Sequence, residues 1–161
     1  MKILVLGVGN VLYKDEAIGV KTVLHLKEHY HFPENVRLLD GGTLGIGLME
    51  CLMDCDLAII IDAVKGGYEP GTLYRLVGED LRKSMSFADS MHQTDLVDTL
   101  IFCELAGKRP DCVVIGMEPA DFYSMDLELS PEVQAQQPRL IEEVLKELKS
   151  HGVTYSKKIK S

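Results

Sequence analysis

The chain has 161 residues, of which 46% are hydrophobic and 26% are charged; these ordinary globular values exclude a disordered or low-complexity chain. Seventeen Lys and Arg residues against 25 Asp and Glu residues give a formal net charge of −8, which argues against a nucleic-acid-binding or anionic-membrane-binding surface. No apolar stretch approaches the roughly 20 residues that cross a bilayer, and no signal-peptide cleavage site follows the apolar run at residues 3–6. We therefore expect a cytoplasmic protein with reduced cysteines.

The first part of the chain alternates apolar runs with apolar patterns at helical spacing. The runs predict strands over residues 2–6, 36–39 and 57–61, and the helical patterns predict helices over residues 16–30 and 44–53. Gly-rich turns follow the first two strands, the second of them at Asp40-Gly41-Gly42. The third strand is strongly apolar and stops at Asp62.

The second part continues this alternation. Residues 72–77 predict an edge strand, and residues 78–91 predict a polar, irregular, mobile loop. The pattern then predicts a helix over 94–105, a strand over 112–115 and a helix over 130–150. Pro138 is expected to kink or restart the last of these helices. Strands separated by helices predict a mostly parallel sheet with helices on both faces, and a site at the carboxyl ends of its strands. We expect one domain over residues 1–152 and a flexible basic tail over residues 153–161.

Four side chains that can carry chemistry fall on that edge: Glu16, Asp40, Asp62 and His92. Three also have plain structural explanations, because Glu16 complements a helix dipole, Asp40 suits an Asx turn, and a loop histidine is usually a surface residue. Asp62 differs, since a carboxylate that ends a buried strand costs free energy unless it is paired or ligated. Two carboxylates and an imidazole with vacant coordination positions can hold Zn, Ni, Fe or Mn in a catalytic arrangement.

Three other site types lack support in the sequence. The turn at Gly7-Val8-Gly9 has Leu12 where a dinucleotide-binding motif needs its third glycine, and Asp15 and Glu16 would repel a pyrophosphate. Neither a Gly-x-Ser-x-Gly motif nor a His-Glu-x-x-His motif is present, so serine-hydrolase and zincin mechanisms are not expected.

Short motifs occur in a fixed order along nearly the whole chain, to about Gly152. They are Leu-Gly-Val-Gly-Asn at residues 6–10, Asp-Glu-Ala-Ile-Gly-Val at 15–20, Asp-Gly-Gly-Thr at 40–43, Asp-Ala at 62–63 with Pro-Gly at 70–71, Ser-Met-His-Gln at 90–93 and Leu-Ser-Pro at 129–131. This ordered set resembles that of the nickel–iron hydrogenase maturation endopeptidases. The loop at residues 78–89 and the tail after Gly152 carry no part of the resemblance.

The resemblance implies a three-layer α/β/α fold with a five-stranded sheet, mostly parallel, in which the strand at residues 72–77 is antiparallel. It implies an endopeptidase that removes the C-terminal extension of the hydrogenase large-subunit precursor after nickel insertion. Glu16, Asp62 and His92 would contact the metal, which we expect the substrate to supply as nickel, although other divalent ions can substitute.

The resemblance implies a separate set of roles for the residues of the Asp-Gly-Gly-Thr motif. Asp40 matches a family carboxylate proposed to act in recognition or catalysis, as in an aspartyl protease. Gly41, Gly42 and Thr43 are candidate substrate-binding residues. The expected partner is the hydrogenase large-subunit precursor, and neither nucleic acid nor membrane is expected.

Two other functions use the same residues. One is a peptidase of this fold that binds its own metal permanently and has a broader peptide specificity. The other is a nickel-binding chaperone that docks on the large subunit without cutting it. Metal content and product formation distinguish these functions from the maturation protease.

Overall fold

A computed structural model describes residues 1–42, 47–87 and 95–159 of the chain. The α-helices and strands in these ranges are β1 (Ile3–Val8), α1 (Ile18–His29), β2 (Tyr30–His31), β3 (Val36–Gly42), α2 (Gly47–Met53), β4 (Leu57–Ala63), β5 (Leu73–Leu76), α3 (Leu96–Leu105), β6 (Asp111–Met117), α4 (Pro131–Ser150) and β7 (Ser156–Lys157). Three short 3₁₀ turns lie at Lys14–Ala17, Gly78–Lys83 and Met85–Phe87.

Five strands form one sheet in the order β3-β1-β4-β6-β5, in which β5 alone runs antiparallel to its neighbour. Alternate residues of the central strands face opposite layers, because the side-chain period of a strand is two. Ile59 and Ile61 of β4 pack in a cluster with residues of α1 and α4. Ala58 and Ile60 pack with residues of α2 and α3 on the other face. The expected three-layer, mostly parallel α/β fold is confirmed.

Two strands extend further than the sequence predicts. β3 continues to Gly42, and Asp40 lies beside Gly7 in the parallel ladder, so the predicted turn at residues 40–42 is wrong. The reason is that pairing with β1 holds extended a segment whose local composition favours a turn. β4 continues to Ala63, which places Asp62 inside the strand beside Gly116 rather than after its end.

The segment predicted as irregular, residues 78–91, is described as far as Phe87. It contains two 3₁₀ turns and buries Leu81 and Ser84. Leu81 attaches this polar segment to the core cluster that contains residues of α3, and Ser84 bonds Asp62. The rest of the segment, residues 88–91, lies outside the described residues.

The C-terminal region differs from its prediction in two places. α4 continues through Pro138 as one helix, so it does not restart there, and a kink at Pro138 stays a prediction. The packed structure also extends beyond residue 152, because Val153 is buried in the core and β7 pairs with β2. The flexibility of residues 153–161 stays a prediction. No described helix is both long and apolar enough to cross a membrane.

The start of α1 lies against the carboxyl ends of β1 and β4. A Cβ atom at Gly19 would overlap the carbonyl oxygen of Ile61, and one at Gly7 would overlap the carbonyl oxygen of Gly19. Glycine at both positions therefore allows backbone-to-backbone contact between the helix and the sheet. The 3₁₀ turn that contains Glu16 directly precedes this contact, so it is brought to the carboxyl edge of the sheet.

Candidate active site

Three of the predicted site carboxylates lie at the same edge of the sheet. Asp40 lies near the carboxyl end of β3, Asp62 near that of β4, and Glu16 in the turn that follows β1. β3, β1 and β4 are adjacent and parallel, so their carboxyl ends meet. His92 and Thr43 lie outside the described residues.

Asp62 is fully buried, and both of its oxygens are hydrogen-bonded. Oδ1 accepts from the backbone N–H of Ala63 (2.8 Å) and the hydroxyl of Ser86 (2.5 Å). Oδ2 accepts from the hydroxyl of Ser84 (2.6 Å) and the backbone N–H of Ser86 (2.8 Å). A carboxylate has about four lone-pair positions, so these donors fill its capacity.

Burial raises the pKa of Asp62 to about 6, and the hydrogen bonds from Ser84, Ser86 and Ala63 act in the opposite direction. Both effects are expected, because a low-dielectric interior disfavours the charged carboxylate whereas donors favour it. The balance leaves Asp62 largely ionised at neutral pH. A buried anion with a perturbed pKa is typical of a functional site, although structural networks show the same property.

Glu16 is half-buried and has a more open environment among the described residues. Its Oε1 accepts a long hydrogen bond (3.4 Å) from the backbone N–H of Asn10. Burial raises the pKa of Glu16, and the Asn10 N–H partly offsets this effect. With this single weak donor in the described part of the chain, the carboxylate retains acceptor positions for a ligand.

Asp40 is exposed and accepts a hydrogen bond at Oδ1 from the backbone N–H of Gly42 (3.0 Å). This is the Asx contact that the sequence suggested, although it forms inside a strand rather than in a turn. β3 is one of the two edge strands of the five-stranded sheet. The Asp40–Gly42 segment therefore lies on the margin of the sheet, within reach of an extended polypeptide.

A second fully buried carboxylate, Asp15, fixes the long connection between β6 and α4. Its Oδ2 accepts from the backbone N–H groups of Ala120 and Asp121, both at 2.8 Å, and its Oδ1 from that of Ser130 at 2.7 Å. The backbone N–H of Asp15 in turn donates to Asp121 (3.0 Å). Asp15 thus holds this loop beside the turn that contains Glu16.

Glu118 fixes the loop between β4 and β5 in a similar way. Its Oε1 accepts from the backbone N–H groups of Gly66 (2.9 Å) and Tyr68 (3.2 Å) and from the hydroxyl of Tyr74 (2.5 Å). Burial and the adjacent Glu118 raise the pKa of Tyr74 to about 12, so Tyr74 remains a neutral donor at physiological pH. The loops around the site are therefore preorganised by buried carboxylates.

The described residues on either side of segment 88–94 are anchored. Upstream, Ser86 bonds Asp62, as described above. Downstream, Asp95 caps α3 and accepts from Arg82 at 2.8 and 2.9 Å. The described chain is therefore held on both sides of this segment, by Asp62 of the site upstream and by the start of α3 downstream.

The ability of the site to bind a metal ion depends on the chemistry of its donors. The described residues contain no ready-made cluster of three His, Cys, Asp or Glu side chains for a metal ion, and the expected third ligand, His92, lies outside them. Glu16 and Asp62 supply oxygen donors that suit divalent ions. Asp62 can ligate a metal only if one of its present donors moves away.

Cysteine chemistry does not contribute to the described site. All four cysteines are free thiols, with Cys55 and Cys103 buried. Burial raises the pKa of Cys55 to about 11 and that of Cys112 to about 12, so both are protonated and unreactive at neutral pH.

Comparison with known proteins agrees with this geometry. A family model described as the hydrogenase maturation protease HycI matches residues 20–147. The chain belongs to the hydrogenase maturation protease family. Members of this family are endopeptidases, so the protein is a hydrolase of that class.

Individual relatives cover almost the whole chain. The Hydrogenase 2 maturation protease of Escherichia coli is 37% identical over 155 residues, which are 95% of this chain and 94% of that protein. The hydrogenase expression/formation protein HupD of Rhodobacter capsulatus is 37% identical over 158 residues, 97% of this chain and 75% of that protein. The solved structure of the Escherichia coli hydrogenase maturating endopeptidase HybD has a TM-score of 0.87 and 36% identity, and the match covers 98% of both chains.

Sequence reasoning about this protease missed Asp15, Ser84, Ser86 and Glu118 as residues that organise the site. In the sequence Asp15 is recognisable as a negative charge beside Glu16 and as part of a motif, but not as an anchor of a distant loop. The two serines fall in a segment whose composition predicts an irregular loop. Each of these side chains acts through a partner distant in sequence, for example the 52 positions between Gly66 and Glu118, and local patterns do not report such contacts.

Proposed function

We propose that this protease removes the C-terminal extension of the nickel-loaded large-subunit precursor of a [NiFe] hydrogenase. The observation that carries the proposal is the buried, ionisable Asp62, held at the same sheet edge as Glu16 and Asp40. Family membership supplies the reaction class, peptide hydrolysis. The finer assignment follows from matching these residues to the family's ordered motifs.

In this proposal nickel arrives with the substrate. Glu16, Asp62 and His92 bind the nickel already inserted into the precursor, so only a loaded precursor is held in register. Fixing one peptide bond against the protein gives a large rate gain by orientation alone, because well-oriented groups reach effective molarities of about 10⁵ M or more. The chain contributes Glu16 and Asp62 as ligands whose positions are set by the sheet.

Asp40 is the proposed group that activates water for attack on the scissile carbonyl. Its exposed carboxylate lies on the outer strand β3, beside Gly41 and Gly42. The margin of an outer strand can accept an extended polypeptide by backbone pairing, which supports a substrate-binding role for these two glycines. Thr43, the next residue of the motif, is proposed to share this role.

The edge also carries exposed apolar side chains that suit a protein substrate. We call Leu12, Tyr123, Met125 and Leu127 the apolar rim; the last three are 74%, 74% and 63% exposed. Backbone hydrogen bonds from Asp126 to Leu12 and from Lys14 to Asp126 join the two segments that display them. Apolar residues held in water by an ordered loop favour a protein–protein contact, here with the large-subunit precursor.

The decisive experiment is intact-mass spectrometry of the large-subunit precursor incubated with this protease. Nickel-loaded and nickel-free precursors are compared in parallel. The expected result is loss of a single C-terminal peptide from the loaded form only. Cleavage of both forms contradicts the nickel dependence, and binding without cleavage of either form identifies a chaperone.

Metal analysis of the purified protease separates the remaining alternative. Protein prepared without added metal is expected to contain no stoichiometric metal. Stoichiometric metal, together with cleavage of unrelated peptides, would instead identify a peptidase that carries its own ion.

A further inference from the structure

The donors around Asp62 are of two kinds that respond differently to a competing ligand. The N–H groups of Ala63 and Ser86 belong to the backbone, so they can leave Asp62 only if the chain moves. The hydroxyls of Ser84 and Ser86 can leave by rotation about one side-chain bond. Each oxygen of Asp62 has one donor of each kind.

The Ser86 hydroxyl lies beside the turn that contains Glu16. Ser86 is half-buried, and its hydroxyl oxygen lies 3.6 Å from the position of a Cβ atom on Gly9. The same Cβ position overlaps the backbone carbonyl of Glu16. Ser86 therefore lies on the side of Asp62 that faces the Gly9–Glu16 turn. Ser84 is fully buried and binds the other oxygen, Oδ2.

We propose that the Ser86 hydroxyl is an exchangeable placeholder on Oδ1 of Asp62, and that the Ser84 hydroxyl is a permanent positioning group on Oδ2. This inference rests on the proposed function, in which the nickel of the precursor binds between Glu16 and Asp62. The incoming metal takes the lone pair that Ser86 releases, while Ser84 and the two backbone N–H groups keep the carboxylate in place. No bond other than this hydrogen bond is broken.

The two serines then have effects of opposite sign on metal binding. Loss of the Ser86 hydroxyl removes a competitor for Oδ1, so Ser86→Ala binds Ni²⁺ more tightly. Loss of the Ser84 hydroxyl leaves Oδ2 with the Ser86 N–H as its one described donor and loosens the carboxylate, so Ser84→Ala binds Ni²⁺ more weakly. Each change is expected to be about tenfold, as for one hydrogen bond to a charged group. Ser86→Thr keeps a hydroxyl and is expected to match the wild type.

The test is a Ni²⁺ titration of the precursor-free protease, monitored by competition with a chromophoric chelator. It is run at pH 8, where Asp62 is ionised, with thermal unfolding used to confirm that each variant is folded. The expected order of affinity is Ser86→Ala, then wild type and Ser86→Thr together, then Ser84→Ala. A purely structural role for both serines predicts that both alanine variants weaken binding, and that result overturns the placeholder assignment. Undetectable binding by Ser86→Ala also overturns it.

Cleavage of the precursor separates this inference from the function on which it rests. If the wild type cleaves nickel-loaded and nickel-free precursors equally, the proposed function fails, whatever the serines do. If the wild type requires nickel, Ser84→Ala is expected to lower kcat/KM for the loaded precursor by about tenfold, because the hydrogen bond that orients a metal-binding carboxylate is lost. An unchanged kcat/KM in that variant contradicts the positioning role of Ser84 and leaves the proposed function intact.

Discussion

Asp15 and Asp62 are both fully buried carboxylates at the carboxyl edge of the sheet, yet the donors that hold them differ. Asp15 accepts from three backbone N–H groups, and Asp62 accepts from two backbone N–H groups and two serine hydroxyls. Backbone donors fix a loop, whereas hydroxyl donors can be exchanged. This difference gives Asp15 a structural role and supports the metal-binding role that we propose for Asp62.

Removal of the Asp62 carboxylate tests the role that we propose for it in the reaction. In Asp62→Ala we expect cleavage of the precursor to fall on the order of 10³-fold, because a group that orients the reaction is lost. The measurement is single-turnover cleavage by intact mass, with folding checked by circular dichroism. Asp56→Ala, at the amino end of the same strand and remote from the site, serves as the matched control. Wild-type activity in folded Asp62→Ala would remove Asp62 from the catalytic machinery.

Removal of Asp15 tests its role as the anchor of the loop between β6 and α4. In Asp15→Ala the backbone N–H groups of Ala120, Asp121 and Ser130 lose their acceptor, so the free energy of unfolding should fall by about 3 kcal/mol or more. Chemical denaturation measures this change. Glu128→Ala, in the same loop but exposed, should leave the unfolding midpoint nearly unchanged. A similar midpoint for both variants would mean that Asp15 does not anchor the loop.

The raised pKa of Asp62 also makes the stability of the fold depend on pH. Because burial raises the pKa of Asp62 to about 6, ionising it costs more in the folded state than in the unfolded chain. Its contribution to stability is therefore full below pH 4 and is lost as the pH rises through 6, a change on the order of 3 kcal/mol. Relative to the wild type, Asp62→Asn should lose less stability between pH 4 and pH 7. Parallel stability curves would show that Asp62 keeps an ordinary pKa.

The smallest effect is expected on the apolar rim, which the Asp15-anchored loop displays. Replacing Tyr123, Met125 and Leu127 together by Ser should raise KM for the large-subunit precursor about tenfold, because exposed apolar contacts to a partner are lost. kcat should change little, since the rim does not touch Asp62. Steady-state kinetics with the precursor measures both constants.

The rim prediction has a control of matched chemistry elsewhere on the surface. Phe102 and Leu105 of α3 are also exposed and apolar. Their replacement by Ser should leave KM unchanged. An equal rise in KM for both sets of variants would assign the effect to general surface hydrophobicity rather than to docking.

Much of the fold could be predicted from the sequence, because buried parallel strands are continuous apolar runs and their helices keep a regular period. The location of Glu16, Asp40 and Asp62 on one edge follows from that topology alone. The extent of β3 could not be predicted, since Asp-Gly-Gly favours a turn until β1 pairs with it. The roles of Ser84 and Ser86 could not be predicted either, because their partner Asp62 lies 22 and 24 residues away in the sequence.

The glycine contact between α1 and the sheet limits the substitutions that this enzyme can tolerate. Side-chain packing elsewhere in the core can adjust by rotamer changes, but Gly7 and Gly19 meet backbone atoms that cannot rotate away. A methyl group at either position would push the helix outward and shift Glu16 with it. Random mutagenesis should therefore find these two positions intolerant even of alanine, although neither residue has a side chain that could take part in the reaction.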